Sequence, residues 1–174
     1  MGLEYVDLDR DVRQAMVAEI SKDIASESYY RSKVLTDAGH DAWPDLLRAA
    51  AASHDDDWLA EELQREGILL SDTTTKSGPK QVNIAAASAR LAEGQFNRYY
   101  MQAICVVAMA SGEDEVEIYR ARESENPRSK SAELIGQRFP AIKILTNLRQ
   151  SEGIETDFPL LAPNSGVSIR RIRQ

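Results

Sequence analysis

The chain is poor in the residue types that most often carry chemistry. It has one cysteine, Cys105, and two histidines, His40 and His54, in 174 residues. A single cysteine excludes an internal disulfide framework and a paired-cysteine metal site, and it suits a reducing compartment. Cys105 sits in an apolar helix-forming run with no histidine at helical spacing, so a buried, inert thiol is expected. The longest apolar run, Ala103 to Ala110, falls far short of the roughly 18 residues a membrane helix requires. No membrane partner is expected. The start of the sequence lacks the positive charge and apolar block of a signal peptide. Val6 stands where N-myristoylation wants Ser or Thr. The expected location is the cytoplasm, or the inside of an assembled particle.

Catalytic motifs are also missing. There is no G-x-S-x-G, no Gly-rich phosphate loop and no H-E-x-x-H. His54 is followed by Asp55, Asp56 and Asp57, but consecutive carboxylates cannot all face one ion without an unusual loop. A helix cap accounts for them better. Neither metal nor cofactor is expected, and the chain does not read as an enzyme.

What is present is apolar content, charge asymmetry and periodicity. Hydrophobic residues make up 43%, enough for the core of one domain, or of one domain with a helical arm. The net charge of −7 is unevenly placed. Residues 1–66 hold 16 acidic and 7 basic side chains, whereas residues 67–174 hold 12 and 14. This split is either a plain solubility effect or a means for the acidic front of one copy to attract the basic rear of another. Overall acidity disfavours nucleic acid as a specific ligand, because phosphate binding needs concentrated Lys and Arg.

The pattern predicts an α+β fold: an N-terminal helical arm and cluster, a β-hairpin, a long central helix and a small mixed sheet. Residues 1–66 read as an acidic helical region and 67–174 as an α+β body with a projecting hairpin over 68–84. Val12, Met16, Ile20 and Ile24 recur every fourth position, with Asp7 or Asp9 as cap. Asp37-Ala38-Gly39 reads as a break, and Pro44 as the first residue of a second helix carrying Leu46, Leu47 and Ala50 inward. A third helix ends at Gly67. Extended segments 68–76 and 80–84 flank Ser77-Gly78-Pro79, as in a projecting hairpin tip. Ala85 to Ser111 reads as the long helix, with Phe96, Tyr99, Tyr100, Ala103, Ile104 and Val107 on one stripe. A strand over 115–122 and a polar loop over 123–128 follow. Next come a short helix through Ala132 and Ile135, and another opened by Pro140, carrying Ile142, Leu145 and Leu148 and ended by Gly153. An irregular tail leads to an edge or closing strand over 167–172.

Two clusters are candidate interfaces. In Phe96-Asn97-Arg98-Tyr99-Tyr100 the aromatics read as core, with Asn97 and Arg98 satisfying buried carbonyls or carboxylates. Alternatively, Arg98 and Tyr99 anchor a partner, since Arg and Tyr are enriched at hot spots. Arg120, Arg122, Arg128, Lys130, Arg138 and Lys143 either pair with Glu115, Glu117, Glu123, Glu125 and Glu133 or contact an acidic neighbour. Lys76 and Lys80 belong to the same candidate interface, at the hairpin tip.

Residues 92–105 (AEGQFNRYYMQAIC), 126–136 (NPRSKSAELIG) and 159–170 (PLLAPNSGVSIR) resemble short uncharacterised proteins encoded in bacterial and prophage genomes. The order of arm, hairpin, long helix and strands resembles the tailed-phage capsid fold in miniature. In that fold arm and hairpin reach across neighbouring subunits. The resemblance implies a mobile-element origin. With the polar hairpin tip, the separated charges and the lack of catalytic groups it leads to the expectation of a phage- or prophage-type structural or assembly protein, a homo-oligomer associating through its N-terminal arm and hairpin, with another phage or host protein as a further partner. The alternative is a small intracellular inhibitor or adaptor that binds a host protein through its acidic helices. A third reading is an enzyme with a polar site around Asn97, Arg98, Tyr99 and Arg120.

Overall fold

The structure, a computed structural model, describes residues 2–122, 132–151 and 165–172. Arg128, Lys130, the loop over 123–128, Gly153 and most of the irregular tail lie outside the described residues, as does the start of the helix expected through Ala132. The fold is α+β, built around a long central helix.

The first helix, α1 (Arg10–Ala25), is capped by Asp9, whose side chain accepts from the Val12 N–H at 3.0 Å. Val12, Met16 and Ile20 are fully buried and Ile24 is half-buried. At roughly 1.5–3 kcal/mol for each buried aliphatic side chain, this stripe is a main source of α1's stability. It packs against the chain's own second and fourth helices, so the arm expected to reach a neighbour has spent its apolar face internally.

The second helix corrects the sequence reading. It begins at Asp37 rather than at Pro44 and runs to Ser53 (α2). Thr36 caps it, accepting from the Gly39 N–H at 3.0 Å, while its own N–H and hydroxyl both donate to the Ile68 carbonyl. Pro44 therefore lies inside the helix, where it costs about 3 kcal/mol. Burial of Trp43, Leu47 and Ala50 on either side of it outweighs that cost, and the Trp43 indole donates to the Tyr30 carbonyl at 3.1 Å. Leu46 is only half-buried. Asp55 caps α3 (Asp56–Arg65) by accepting from the Trp58 N–H at 2.9 Å, as its acidic opening predicts. Gly67, at φ +63°, ends that segment in a conformation other residues avoid.

The hairpin is shorter than expected. Its strands are β1 (Asp72–Thr75) and β2 (Gly78–Gln81), and its turn is Lys76-Ser77 rather than Ser77-Gly78-Pro79. Ile68 and Leu69 are buried in the core instead, with Leu69 bridging Leu35, and Ile84 opens the following helix. Apolar side chains at both ends of the expected hairpin were drawn out of it.

The central helix is α4 (Ile84–Ala110), capped by Asn83 through the Ala86 N–H at 3.0 Å. From Leu91 to Cys105 every residue is buried. A helix buried on all sides needs neighbours on all sides. Those are α1, α3, a fifth helix α5 (Ala141–Gln150) and the main sheet. That sheet has β3 (Glu115–Arg120) in the middle, with β4 (Arg138–Pro140) and β5 (Val167–Arg171) at its edges. Both pairings are antiparallel, so the expected mixed sheet is antiparallel throughout, and the strand expected over 115–122 stops at Arg120. Asn97 of α4 donates to the Val167 carbonyl at 3.0 Å and accepts from the Ser168 hydroxyl at 2.7 Å, covering backbone of the edge strand β5. On α5, Ile144, Leu145 and Leu148 are buried, while Ile142, expected inside, is 56% exposed. One hydrophobic cluster runs from Val12 to Ile169, so residues 1–66 and 67–174 share a core.

Candidate interaction site

The expected anchor residues Arg98 and Tyr99 face inward. Arg98 is 6% exposed, and its guanidinium donates to the Leu148 and Ser151 carbonyls, each at 2.5 Å, and to the Ser151 hydroxyl at 3.2 Å. These carbonyls close the C-terminal end of α5, where unpaired C=O groups and the helix dipole favour a cation. Burial lowers the guanidinium's pKa from its ordinary value. The Tyr99 hydroxyl donates to Asp23 of α1 at 2.8 Å, and burial raises its pKa. Both side chains are internal clasps, satisfying buried carbonyls and a carboxylate.

Of the basic cluster, Arg122 pairs with Glu93 of α4, and Arg138 lies 3.8 Å from Glu117, which Arg170 also meets. Arg120 is half-buried, with one guanidinium nitrogen buried and without a hydrogen-bond partner among the described residues. Lys143 is exposed. The structure does not bring Arg98, Tyr99, Lys76 and Lys80 to one surface. The two arginines of the β3 end and the two lysines of the hairpin belong to separate regions.

Beside Glu93 lies a second buried carboxylate that the sequence reading assigned only to a cap. Asp56 is 3% exposed and accepts from the Leu3 N–H at 3.1 Å. Burial pushes its carboxyl up to about 6, against the Leu3 hydrogen bond, which favours the charged form. Residues 2–8 are strapped over this pair. The Glu4 N–H donates to the Ala121 carbonyl at 2.7 Å, and the Tyr5 ring lies 4.9 Å from Phe96 and 4.8 Å from Tyr100. A Cβ on Gly2 would collide with the Asp56 carboxylate. These contacts hold the N-terminal segment to its own body.

His54 stacks on Trp58 with ring centres 4.0 Å apart, and its carbonyl accepts from Arg13 at 2.8 Å. Among the described residues no group of three or more His, Cys, Asp or Glu is placed to hold a metal ion. No described helix is long and apolar enough to cross a membrane. Burial pushes the Cys105 thiol up to about 12, which leaves it protonated and unreactive at neutral pH. A groove of about 540 Å³ lies between α1 and the end of α2, lined by Leu8, Arg10, Arg13, Val17 and Ala52.

The hairpin is the regular element with the least burial. Its burial pattern is exposed or half-exposed at every residue of both strands, and Lys76 and Lys80 are both exposed. Two strands with no buried face are marginal in water. Three consecutive threonines, Thr73, Thr74 and Thr75, supply the β propensity, and Gly78, at φ +108°, accommodates the turn. The sequence reading singled out the lysines and passed over the backbone edges beside them. Pro79, expected in the turn, lies within β2, where it lacks an N–H for one of those edges. No protein-family model matches the chain, and comparisons with curated proteins and with solved structures find no match.

Proposed function

We propose that this chain is a phage- or prophage-type structural or assembly protein that associates with copies of itself, and that the hairpin is its contact element. The observation that carries the reading is the hairpin's exposure on both faces, which leaves a regular element without a stabilising surface of its own. The resemblance of residues 92–105, 126–136 and 159–170 to short proteins encoded in bacterial and prophage genomes supports a mobile-element origin. The N-terminal arm supports association only indirectly, because α1 is bound to its own α2 and α4. The assembly works in the cytoplasm or within a particle.

A second reading is favoured by exposed acidic residues on α2 and α3, Asp41 and Glu61, with Asp45 also exposed but paired with Arg48. They fit a small adaptor or inhibitor that binds a basic host protein. Sedimentation velocity of the full chain over a wide concentration range separates the two. A concentration-dependent rise in mass supports assembly. A monomer at every concentration overturns it in favour of the adaptor.

A further inference from the structure

The two edges of the hairpin differ, and the difference follows from its register. The Val82 N–H donates to the Ser71 carbonyl at 2.8 Å, which makes Ser71 and Val82 a hydrogen-bonded pair. Antiparallel ladders alternate, so Thr73 with Lys80 and Thr75 with Gly78 are also hydrogen-bonded pairs. Asp72 with Gln81 and Thr74 with Pro79 are then non-hydrogen-bonded pairs, whose backbone groups point away from the hairpin. On the β2 side this puts Pro79, which has no N–H, at the middle of the outer edge. On the β1 side the outward groups of Asp72 and Thr74 are complete, and among the described residues no other backbone group bonds to them. One edge of the ribbon is blunted and the other is open.

We infer that the open edge of β1 pairs with β1 of a second copy, antiparallel about a two-fold axis at Thr73, to give one four-stranded sheet ordered β2-β1-β1-β2. This rests on the self-association proposed above and names its surface. In this register the outward groups of Asp72 face those of Thr74 of the second copy, so the donors and acceptors of one edge match those of the other. Charge selects the same arrangement. Asp72 at one end of the edge and Lys76 just past the other become diagonal cross-strand neighbours on one face. A parallel pairing would instead set Asp72 on Asp72 and Lys76 on Lys76. Because Pro79 blunts both outer edges of the product, the sheet closes at two copies rather than growing into a fibre. Further assembly then uses other surfaces of a dimeric unit.

Two variants test this. Thr74→Pro removes an outward N–H from the open edge without removing a bond within the hairpin. Thr73→Cys places a thiol at the two-fold in a non-hydrogen-bonded pair, where Cα atoms stand about 4.5 Å apart, within the ~4.4–6.8 Å that a disulfide spans. The native Cys105 is buried and does not compete. The expected result has three parts. Wild type sediments as a dimer or larger, Thr74→Pro sediments as a monomer with the melting temperature of wild type diluted until monomeric, and Thr73→Cys gives a disulfide-linked dimer on mild oxidation while Lys80→Cys does not. If wild type associates but Thr74→Pro associates as tightly and Thr73→Cys stays unlinked, the edge pairing is overturned while self-association stands. A wild-type monomer at every concentration overturns both.

Discussion

The middle of α4 and the hairpin that precedes it are opposites built within forty residues of each other. Leu91 to Cys105 is buried without a break, whereas Asp72 to Gln81 has no fully buried residue. In α4 three of the polar side chains bind other elements of the chain: Asn97 holds β5, Arg98 closes α5 and Tyr99 reaches α1. In the hairpin the polar groups face water and one backbone edge stands open. Stability in the first region is internal, and the second has a surface to offer. An element that its own fold does not need for stability is the natural place for contact with another molecule.

The contrast breaks most severely if the packing around α4 is removed. Deleting residues 1–25 strips α1 from α4 and exposes Phe96 and Tyr100, so cooperative thermal unfolding should be lost altogether. A truncated chain that melts sharply would show that α1 is the detachable arm first expected. Phe96→Ala is the milder version of the same test. Phe96 is fully buried, and its truncation should cost about 3–5 kcal/mol in urea unfolding.

Asp56 sharpens the contrast through pH. Its folded carboxyl titrates near 6 rather than its ordinary 3.8, so the folded state holds the proton more tightly than the unfolded chain. Its contribution to stability is therefore full below about pH 4 and is lost as pH rises through about 6, a swing on the order of 2–3 kcal/mol. Asp56→Asn keeps an acceptor for the Leu3 N–H and should flatten this part of the stability profile. An unchanged pH dependence in the variant would place the titration elsewhere.

The smallest effects belong to the hairpin. Thr75→Ala should shift stability by no more than about 0.5 kcal/mol, as for other exposed positions. Trypsin should cut the isolated subunit first after Lys76 or Lys80. Early cleavage elsewhere would show that the tip is held against the body.

The same contrast explains what the sequence could disclose. Where burial is one-sided, as on α1, periodicity reported it, and local polar signals marked the acidic cap of α3 and the presence of the hairpin. Where burial surrounds an element, periodicity loses meaning. Arg98 and Tyr99 on α4 could therefore be read as surface anchors or as internal clasps, and only the fold distinguishes them. Tertiary packing also overrode two local signals. Trp43 and Leu47 carried α2 through Pro44, and the core claimed Ile68 and Leu69 from the expected strand. The open edge of β1 was hidden because it depends on register, which a one-residue shift would invert.

Hydrogen exchange followed at several protein concentrations tests the central claim most directly. Amides from Leu91 to Cys105 should be equally protected at every concentration, whereas those of Asp72 and Thr74 should exchange freely in dilute solution and become protected as concentration rises. Protection of Asp72 and Thr74 that does not change with concentration, whether high or absent throughout, would contradict the reading of the hairpin as an element completed by a second copy.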